Sequence, residues 1–504
     1  MARPIQIHSE NPKLFEFRDK PLVLVTATEH YGAVMNRPFN FETYLADVAE
    51  KRITLTRLFT LFRELQTPIN PYSTCKPESP DYLAPFERTG PGRAHDQELK
   101  FDLDRPNPEF YERLHRFLSL ASDYDVIVEV VLFSNTYSDD VWSLNPLNAK
   151  NNVNDVEEIA WADYLSQRHS KLLTYQLTHL QRIVTETNHY DNVIYEICNE
   201  PGAAKGLAVP GGDNYPSCEE VNQWLATMIS TVRQIEADLP NQHLIAGQEA
   251  FAYVPFEQGS DHSFHTLDYD VVNVHPLPNT TYRGKRYDLG AFMSKQLALR
   301  ALRDYCLATY DEPRPLNQDE DNIASQYKDV DAWTIHRKRA WTTLLSGAHY
   351  DYIDFSITIY SEAGTAQSQR YIRSWMKHLS EFIHSFDLVQ ARPLSDVVEA
   401  APPSTLAMAF GVADEELCVY LADERELPAA RDLPDGQEGD PKAGSPIEGT
   451  ILLNLPEGTY RVSCLDPKTG LYSPALTIQG SQQTRLALPL FVHDLVIRLT
   501  RISA

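Results

Sequence analysis

The stretch Val193-Ile-Tyr-Glu-Ile-Cys-Asn-Glu-Pro201 decides how the rest of the chain is read. Its run of Val, Ile and Tyr has the composition of a buried strand. It ends abruptly in Asn199, Glu200 and Pro201. Proline cannot donate to a sheet ladder, so the strand stops there. Barrel and open α/β enzymes place their chemistry at the carboxyl ends of buried strands. Glu200 is therefore a candidate catalytic group. A strand followed by a solvated polar turn is the plainer reading of a lone Glu-Pro.

Outward from this strand, from Pro21 to about Ser356, apolar strand-like runs alternate with helical patterns. That alternation is the signature of βαβ units around a parallel sheet. The other candidate strands are Leu22–Thr26, Ile53–Leu58, Val126–Phe133, Leu244–Ala246, Val271–Val274, Arg314–Asn317 and Tyr350–Phe355. Helical spacing predicts helices over Pro108–Ala121, Ala160–Thr187, Cys218–Asp238 and Asp331–Leu345, with Tyr371–Leu388 closing the unit. Eight such repeats predict a (β/α)8 TIM barrel, preceded by a hairpin in Ile5–Phe17 that caps its floor. An open doubly wound sheet is the alternative. No glycine-rich phosphate fingerprint follows the first strand, which disfavours a nucleotide-binding version.

After Arg392 the texture changes to short β patterns separated by turns such as Pro456-Glu-Gly458 and Asp466-Pro-Lys-Thr-Gly470. Strands are predicted at Thr405–Gly411, Glu416–Leu421, Gly449–Leu455, Gly458–Cys464, Ala475–Gln479, Thr484–Leu488 and His493–Leu499. They read as an all-β sandwich, and the segment Glu424–Ile447, rich in Pro, Gly, Asp and Glu, as a long mobile loop within it. The expected division is residues 1–390 for the barrel with its hairpin and 391–504 for an accessory sandwich.

The net charge of −25 argues against nucleic acid and against anionic membranes, which need a basic surface. It leaves a neutral substrate such as a carbohydrate open. No apolar run is long enough for a membrane span. Met1–Glu10 has no apolar signal core, so a cytoplasmic location is expected, although a trimmed signal would look the same. The six cysteines form no CxxC pair and read as free thiols. The 16 histidines show no His-Glu-x-x-His cluster, and no G-x-S-x-G elbow is present, so neither a metal, another cofactor nor a serine nucleophile is expected.

Asn199-Glu200-Pro201 after an aliphatic strand resembles the fourth-strand motif of clan A retaining glycoside hydrolases, in which the Glu is the acid/base. Lys13-Leu-Phe-Glu-Phe-Arg-Asp-Lys-Pro-Leu22 resembles the entry to the barrel of apiosidase-like and family-5-like bacterial hydrolases. Gly458-Thr-Tyr-Arg-Val462 and Pro489–Arg498 resemble a C-terminal sandwich that some of them carry, named for collagen binding. The resemblance implies an O-glycoside hydrolase of a double-displacement type. Retention needs two carboxyl groups about 5–5.5 Å apart. Glu312-Pro-Arg-Pro-Leu-Asn-Gln-Asp-Glu-Asp321 resembles the clan's seventh strand and makes Glu320 the nucleophile. Asp319 or Asp321 takes that role if the strand ends earlier or later, and a solvated acidic loop is the competing reading.

Arg57 resembles the strand-two Arg that hydrogen-bonds the nucleophile, and Asn199 the residue that binds the neighbouring sugar hydroxyl. His275 stands where the clan has a His or Tyr, or is a structural His-Pro turn. Glu29, His30 and Asn135, at or just beyond strand ends, are candidate sugar contacts. Tyr31, Phe62, Tyr137, Trp142 and Tyr282 are candidate stacking platforms, each alternatively loop packing. Asp354-Phe355-Ser356 replaces the clan's frequent strand-eight Trp. That departure, with polar Asn317 and Gln318 before Glu320, motivates a second reading: a non-catalytic carbohydrate-binding protein on a retired barrel. The flat faces of a sandwich leave room for a homo-oligomer.

Overall fold

Seven parallel strands curl into a sheet whose two edges are joined by residues 24–28, and this closes the barrel. The computed structural model describes residues 3–29, 31–65, 76–290, 296–321, 325, 330–428 and 439–502. The barrel strands are β1 (residues 24–28), β2 (Leu55–Phe59), β3 (Ile127–Ser134), β4 (Val193–Asn199), β5 (Leu244–Gly247), β6 (Val271–Val274), β7 (Leu316–Asp321) and β8 (His349–Tyr352). From β2 to β8 each pairs in parallel with the next. Residues of β1 bridge both edges: Val25 to Tyr350 and Thr28 to Ile353 on one side, Thr26 to Leu55 on the other.

The hairpin strands Phe15–Phe17 and Lys20–Leu22 seal the amino-terminal end. Phe15 and Phe17 pack there against Leu55, Ile127, Ile194, Ala246 and Val271, the first inward residues of five strands. The helix Pro108–Asp123 starts as its sequence suggests, with Pro at the first turn and the Asn107 side chain capping Glu109 N. The predicted helix over Ala160–Thr187 is corrected. A short 3₁₀ turn, Trp161–Asp163, comes first and the helix runs Ser170–Thr187. The intervening segment is tied down instead: Thr136 Oγ1 donates to Trp161 O (2.9 Å), and the Arg168 guanidinium holds Asp163 and Glu220.

A second correction concerns β7. Asn317 to Asp321 form strand, not an acidic loop, and all five are buried. The β7–β8 register slips between Gln318 and Asp321, so Asp319 and Glu320 lie in a bulge.

After the helix Ile372–Ile383 the chain turns to antiparallel sheets. One runs in the order Arg392–Leu394, Thr405–Val412, Glu416–Asp423, Asp494–Ile502, Gly458–Asp466, Leu471–Tyr472. The other pairs Val398–Ala400, Ile447–Leu453 and Thr484–Phe491. Val419, Ile451, Leu453, Tyr460, Ile497 and Leu499 fill the space between them, giving the β-sandwich. Within the acidic, Pro-rich segment, residues 429–438 lie outside the described residues.

The helix Val330–Leu345 joins the two parts and is buried from Ala332 onward, on every face. Its Arg337 pairs with Asp494 of the sandwich, Lys338 Nζ donates to Asp423 O (2.9 Å), and Trp341 stacks on Tyr420. Arg339, on the same helix, points to the barrel and grips Asp321 at the end of β7. No helix among the described residues is long and apolar enough to cross a membrane.

Candidate active site

The middle of β2 and the carboxyl ends of β4, β6 and β7 bring Arg57, Glu200, His275 and Glu320 together toward the mouth of the barrel. One carboxylate oxygen of Glu200, one of Glu320 and a ring nitrogen of His275 lie within 4.8 Å of one another. Both glutamates are held in the left-handed backbone region, at φ 46° and 45°. Residues with a side chain rarely adopt that region, and here it turns each carboxylate out of its strand.

Arg57 is fully buried and fans out beneath the pair. Its Nη1 donates to Glu320 Oε1 (2.5 Å) and lies 3.3 Å from Tyr31 Oη. Its Nη2 donates to Asn199 Oδ1 (3.1 Å) and to Glu196, and lies 3.3 Å from Asp319 Oδ2. His275 bridges the same groups, with Nδ1 3.1 Å from Glu200 Oε1 and 3.9 Å from Glu320 Oε2, and Nε2 3.2 Å from Asp319 Oδ2. Tyr137 Oη donates to Glu200 Oε2 (2.6 Å) and accepts from Asn199 Nδ2 (3.0 Å).

The electrostatics follow from this wiring. Burial alone lowers the proton affinity of His275, but Glu320, Asp319 and Glu200 outweigh it and raise its pKa well above the ordinary value. The ring is an imidazolium at neutral pH. Burial pushes Glu200 up, yet hydrogen bonds from His275 and Tyr137, with the charges of His275 and Arg57, bring it below the usual range. For Glu320 burial prevails over His275 and Arg57, helped by Glu200 and Asp319, and its pKa is raised. Two carboxyls this close titrate as a pair.

Several sequence-predicted contacts sit elsewhere. Trp142 is 4% exposed, packs on Tyr164 and donates its indole N–H to Ile159 O, so it is core and not a platform. Tyr282 is 3% exposed in a cluster outside the barrel wall with Phe264 and Tyr305, its hydroxyl on Glu312. Glu29 is fully buried and accepts from Gly32 N (2.8 Å) and Ala33 N (3.1 Å), shaping the loop after β1. Phe62 is buried edge-on between Phe59 and Tyr137. Tyr31 stacks on Phe59 beneath Arg57. His30 lies outside the described residues. Asn135 is at the site's rim, where its Nδ2 donates to Tyr253 Oη (2.7 Å). That contact needs Gly202 next to Pro201: a Cβ there would fall 2.5 Å from Asn135 Nδ2 and 2.6 Å from the Tyr253 ring.

Sequence reasoning missed the half-buried rings of Tyr253, Trp161 and Tyr215 on the Glu200 side, where Trp161 meets Tyr253 edge to face and Tyr215 at a tilt. It also missed four buried carboxyls under the site, Glu129, Glu196, Asp319 and Asp351 (Asp319 was weighed only as a nucleophile). Among the described residues, two triads have the donor types of a cation site: Glu200–His275–Glu320 and Glu129–Glu196–Asp319. Arg57 already supplies positive charge to both, through Glu320 in one and Glu196 and Asp319 in the other.

The model of the family described as Cellulase (glycosyl hydrolase family 5) matches residues 31–340, more than half of the chain. The chain belongs to glycosyl hydrolase family 5. It is an O-glycoside hydrolase. A solved structure titled only as a glycoside hydrolase is similar over 99% of this chain and 97% of its own, at 11% identity and a TM-score of 0.61. A glycoside hydrolase family 5 structure from Bacteroides vulgatus covers 99% of this chain and 92% of its own, at 12% identity and a TM-score of 0.60. At such identities the likeness speaks to the fold, barrel and sandwich together. No curated protein matches the chain by sequence.

Proposed function

We propose that this family 5 enzyme cleaves a glycosidic bond with retention, by double displacement, with Glu200 as acid/base and Glu320 as nucleophile. The observation that carries the reading is the approach of the two carboxylates to within 4.8 Å. Retaining pairs stand about 5–5.5 Å apart, whereas inverting pairs leave about 6.5–9.5 Å for a water. Arg57 holds Glu320 Oε1, so Oε2 is the oxygen that attacks the anomeric carbon. Glu200 protonates the departing glycosidic oxygen, then takes a proton from the water that opens the glycosyl–enzyme ester. Asn199 Nδ2 has a second hydrogen for the sugar hydroxyl beside the reacting carbon.

With His275 hydrogen-bonded to Glu200, the proton affinities of the pair run opposite to these roles, for an identifiable reason. His275 Nδ1 hydrogen-bonds Glu200 and stabilises its anion. A glycosidic oxygen entering beside Glu200 displaces that bond, frees the imidazolium to face Glu320 Oε2, and so reverses the order. Tyr253, Trp161 and Tyr215 on the Glu200 side suit a leaving group with an apolar face, such as a second sugar ring.

The test is azide rescue. Glu200→Ala and Glu320→Ala should each lose turnover of an activated aryl glycoside, and azide should restore product of retained configuration in the first and inverted configuration in the second. Full activity in both variants, or an inverted first product from the unmodified enzyme, overturns the assignment. The same measurement disposes of the retired-barrel alternative, which predicts binding without turnover.

A further inference from the structure

The barrel interior below the reacting pair is acidic where barrels are ordinarily filled by branched apolar residues. Glu129 on β3, Glu196 on β4, Asp319 on β7 and Asp351 on β8 are all buried. Oxygens of Glu129, Glu196 and Asp319 come within 4.8 Å of one another, and the fully buried Asp351 carboxyl faces that of Asp319. With Glu200 and Glu320, six carboxyl groups face two cations, Arg57 and His275.

The hydrogen bonds do not reach all of these oxygens. Glu196 Oε2 accepts from Arg57 Nε (3.2 Å), and Asp319 Oδ2 lies 3.2 Å from His275 Nε2. Glu196 Oε1, Asp319 Oδ1 and both oxygens of Asp351 meet no donor among the described residues. Asn273 Nδ2 donates to Glu129 Oε1 (2.6 Å). Ionised carboxylates without donors are not sustained in a sealed interior, and two carboxyls hydrogen-bond each other only when one carries the proton.

We propose that Asp319 is the positioning residue for His275, kept anionic by a proton that stays on Asp351, and that Glu129 is the protonated partner of Glu196 beneath Arg57. Asp319 then fixes His275 Nε2 and aims Nδ1–H at Glu200 Oε1 and Glu320 Oε2. The directions of titration agree for Glu129, Asp351 and Asp319, while burial also raises Glu196, to about 7, against the pull of Arg57. Burial and neighbouring carboxylates raise Glu129 and Asp351 far above the usual range. Arg57 and His275, against burial, hold Asp319 well below it. The charged and titratable groups facing this network are Arg57, His275, Tyr31, Glu196, Glu200 and Glu320, with Cys198 and Tyr269 beside Glu196 and Tyr352 beside Asp351. The assignment rests on Glu200 and Glu320 being the reacting pair, but its tests read protons directly.

Infrared difference spectra of the unmodified protein at neutral pH should show the C=O stretch of protonated buried carboxyls. Asp351→Asn should remove one component and Glu129→Gln another. In Asp319→Asn, NMR of the imidazole ring should show His275 titrating at lower pH. Its kcat should fall about tenfold to a hundredfold while KM holds, as expected for loss of one charged hydrogen bond. Three results overturn the proposal: no protonated-carboxyl band in the unmodified protein, unchanged titration of His275 in Asp319→Asn, or one calcium or manganese ion per chain by elemental analysis after equilibration with that metal. These outcomes are independent of the azide test, so failure of the catalytic assignment is separately visible.

Discussion

Replacing Arg57 by Lys keeps the charge and removes the fork, which makes it the sharpest probe of how the site is held. The guanidinium spreads over Glu320, Glu196, Asn199 and Tyr31 and stands beside Asp319, with no solvent exposure. An ammonium offers three donors from one point and cannot reach both sides of that fan. One or two charge-assisted bonds are therefore lost, each worth about 1.5–3 kcal/mol. The contact to Glu320 is the one that bears on rate. Losing that one bond, about 1.5–3 kcal/mol, corresponds to a fall in kcat of roughly tenfold to a hundredfold. Arg57 is also among the groups that lower the proton affinity of Glu320. Weakening it leaves Glu320 protonated to higher pH, so the acidic limb of kcat, set by the substrate complex, moves to higher pH. The assay is the pH dependence of aryl-glycoside hydrolysis, with urea unfolding run in parallel to confirm a folded variant. A folded Arg57→Lys enzyme with kcat within threefold of the parent and an unmoved acidic limb would refute the claim that this guanidinium sets the state of the nucleophile.

Tyr137→Phe removes a donor that helps hold Glu200 below its usual range, so Glu200 keeps its proton to higher pH and the alkaline limb of kcat, set by the substrate complex, should move upward; a downward shift contradicts the sign. Glu426 of the sandwich accepts from Leu297 N (2.6 Å) and Ala298 N (3.0 Å), and Arg339, which grips Asp321, donates to Leu297 O (2.8 Å). Glu426→Ala should therefore cost about 1–3 kcal/mol in urea unfolding and lower kcat, and a neutral result would show that the sandwich does not brace β7. Trp161→Ala should raise KM for an oligosaccharide about threefold to tenfold and leave KM for a nitrophenyl monosaccharide within twofold, the difference reporting a lost stacking face of about 0.5–1.5 kcal/mol.

Strand composition made the barrel legible because six of its strands are runs of apolar, β-branched residues that few other folds accommodate. Val193–Asn199 and Val271–Val274 fall where the sequence puts them. β7 was obscure for a physical reason. Its inward residues answer to Arg57, His275 and Arg339, which come from β2, β6 and the helix after β7. A buried strand made of Asn, Gln, Asp and Glu looks like a loop until those partners are in place. Trp142 and Tyr282 misled in the opposite sense, since an aromatic near a strand end is packed or exposed according to the loop that covers it. The helix Val330–Leu345 reads as amphipathic, and its charges point into the molecule because the sandwich lies on its outer face. The rings of Trp161 and Tyr253 lie on long connections, where local periodicity carries no information about position.

The bulge in β7 explains how three consecutive acids serve three places. In a regular strand Asp319 and Asp321 would share a face, with Glu320 opposite. Instead Asp319 meets Arg57 and His275 inside the barrel, Glu320 turns up to the mouth, and Asp321 meets Arg339 and Tyr350. The left-handed backbone at Glu320, φ 45°, makes this possible and costs a residue with a Cβ about 1–2 kcal/mol. The strain is offset by the contact with Arg57. Stability of two inactive variants should therefore invert the ordinary order. In a normal strand Gly is less stable than Ala by about 0.5–1 kcal/mol. At position 320 both substitutions lose Arg57, but Gly also relieves the backbone, so Glu320→Gly should unfold at higher urea than Glu320→Ala, by about 1 kcal/mol. If Ala is the more stable of the two, position 320 carries no such strain, and the aim of the nucleophile must come from its side-chain partners alone.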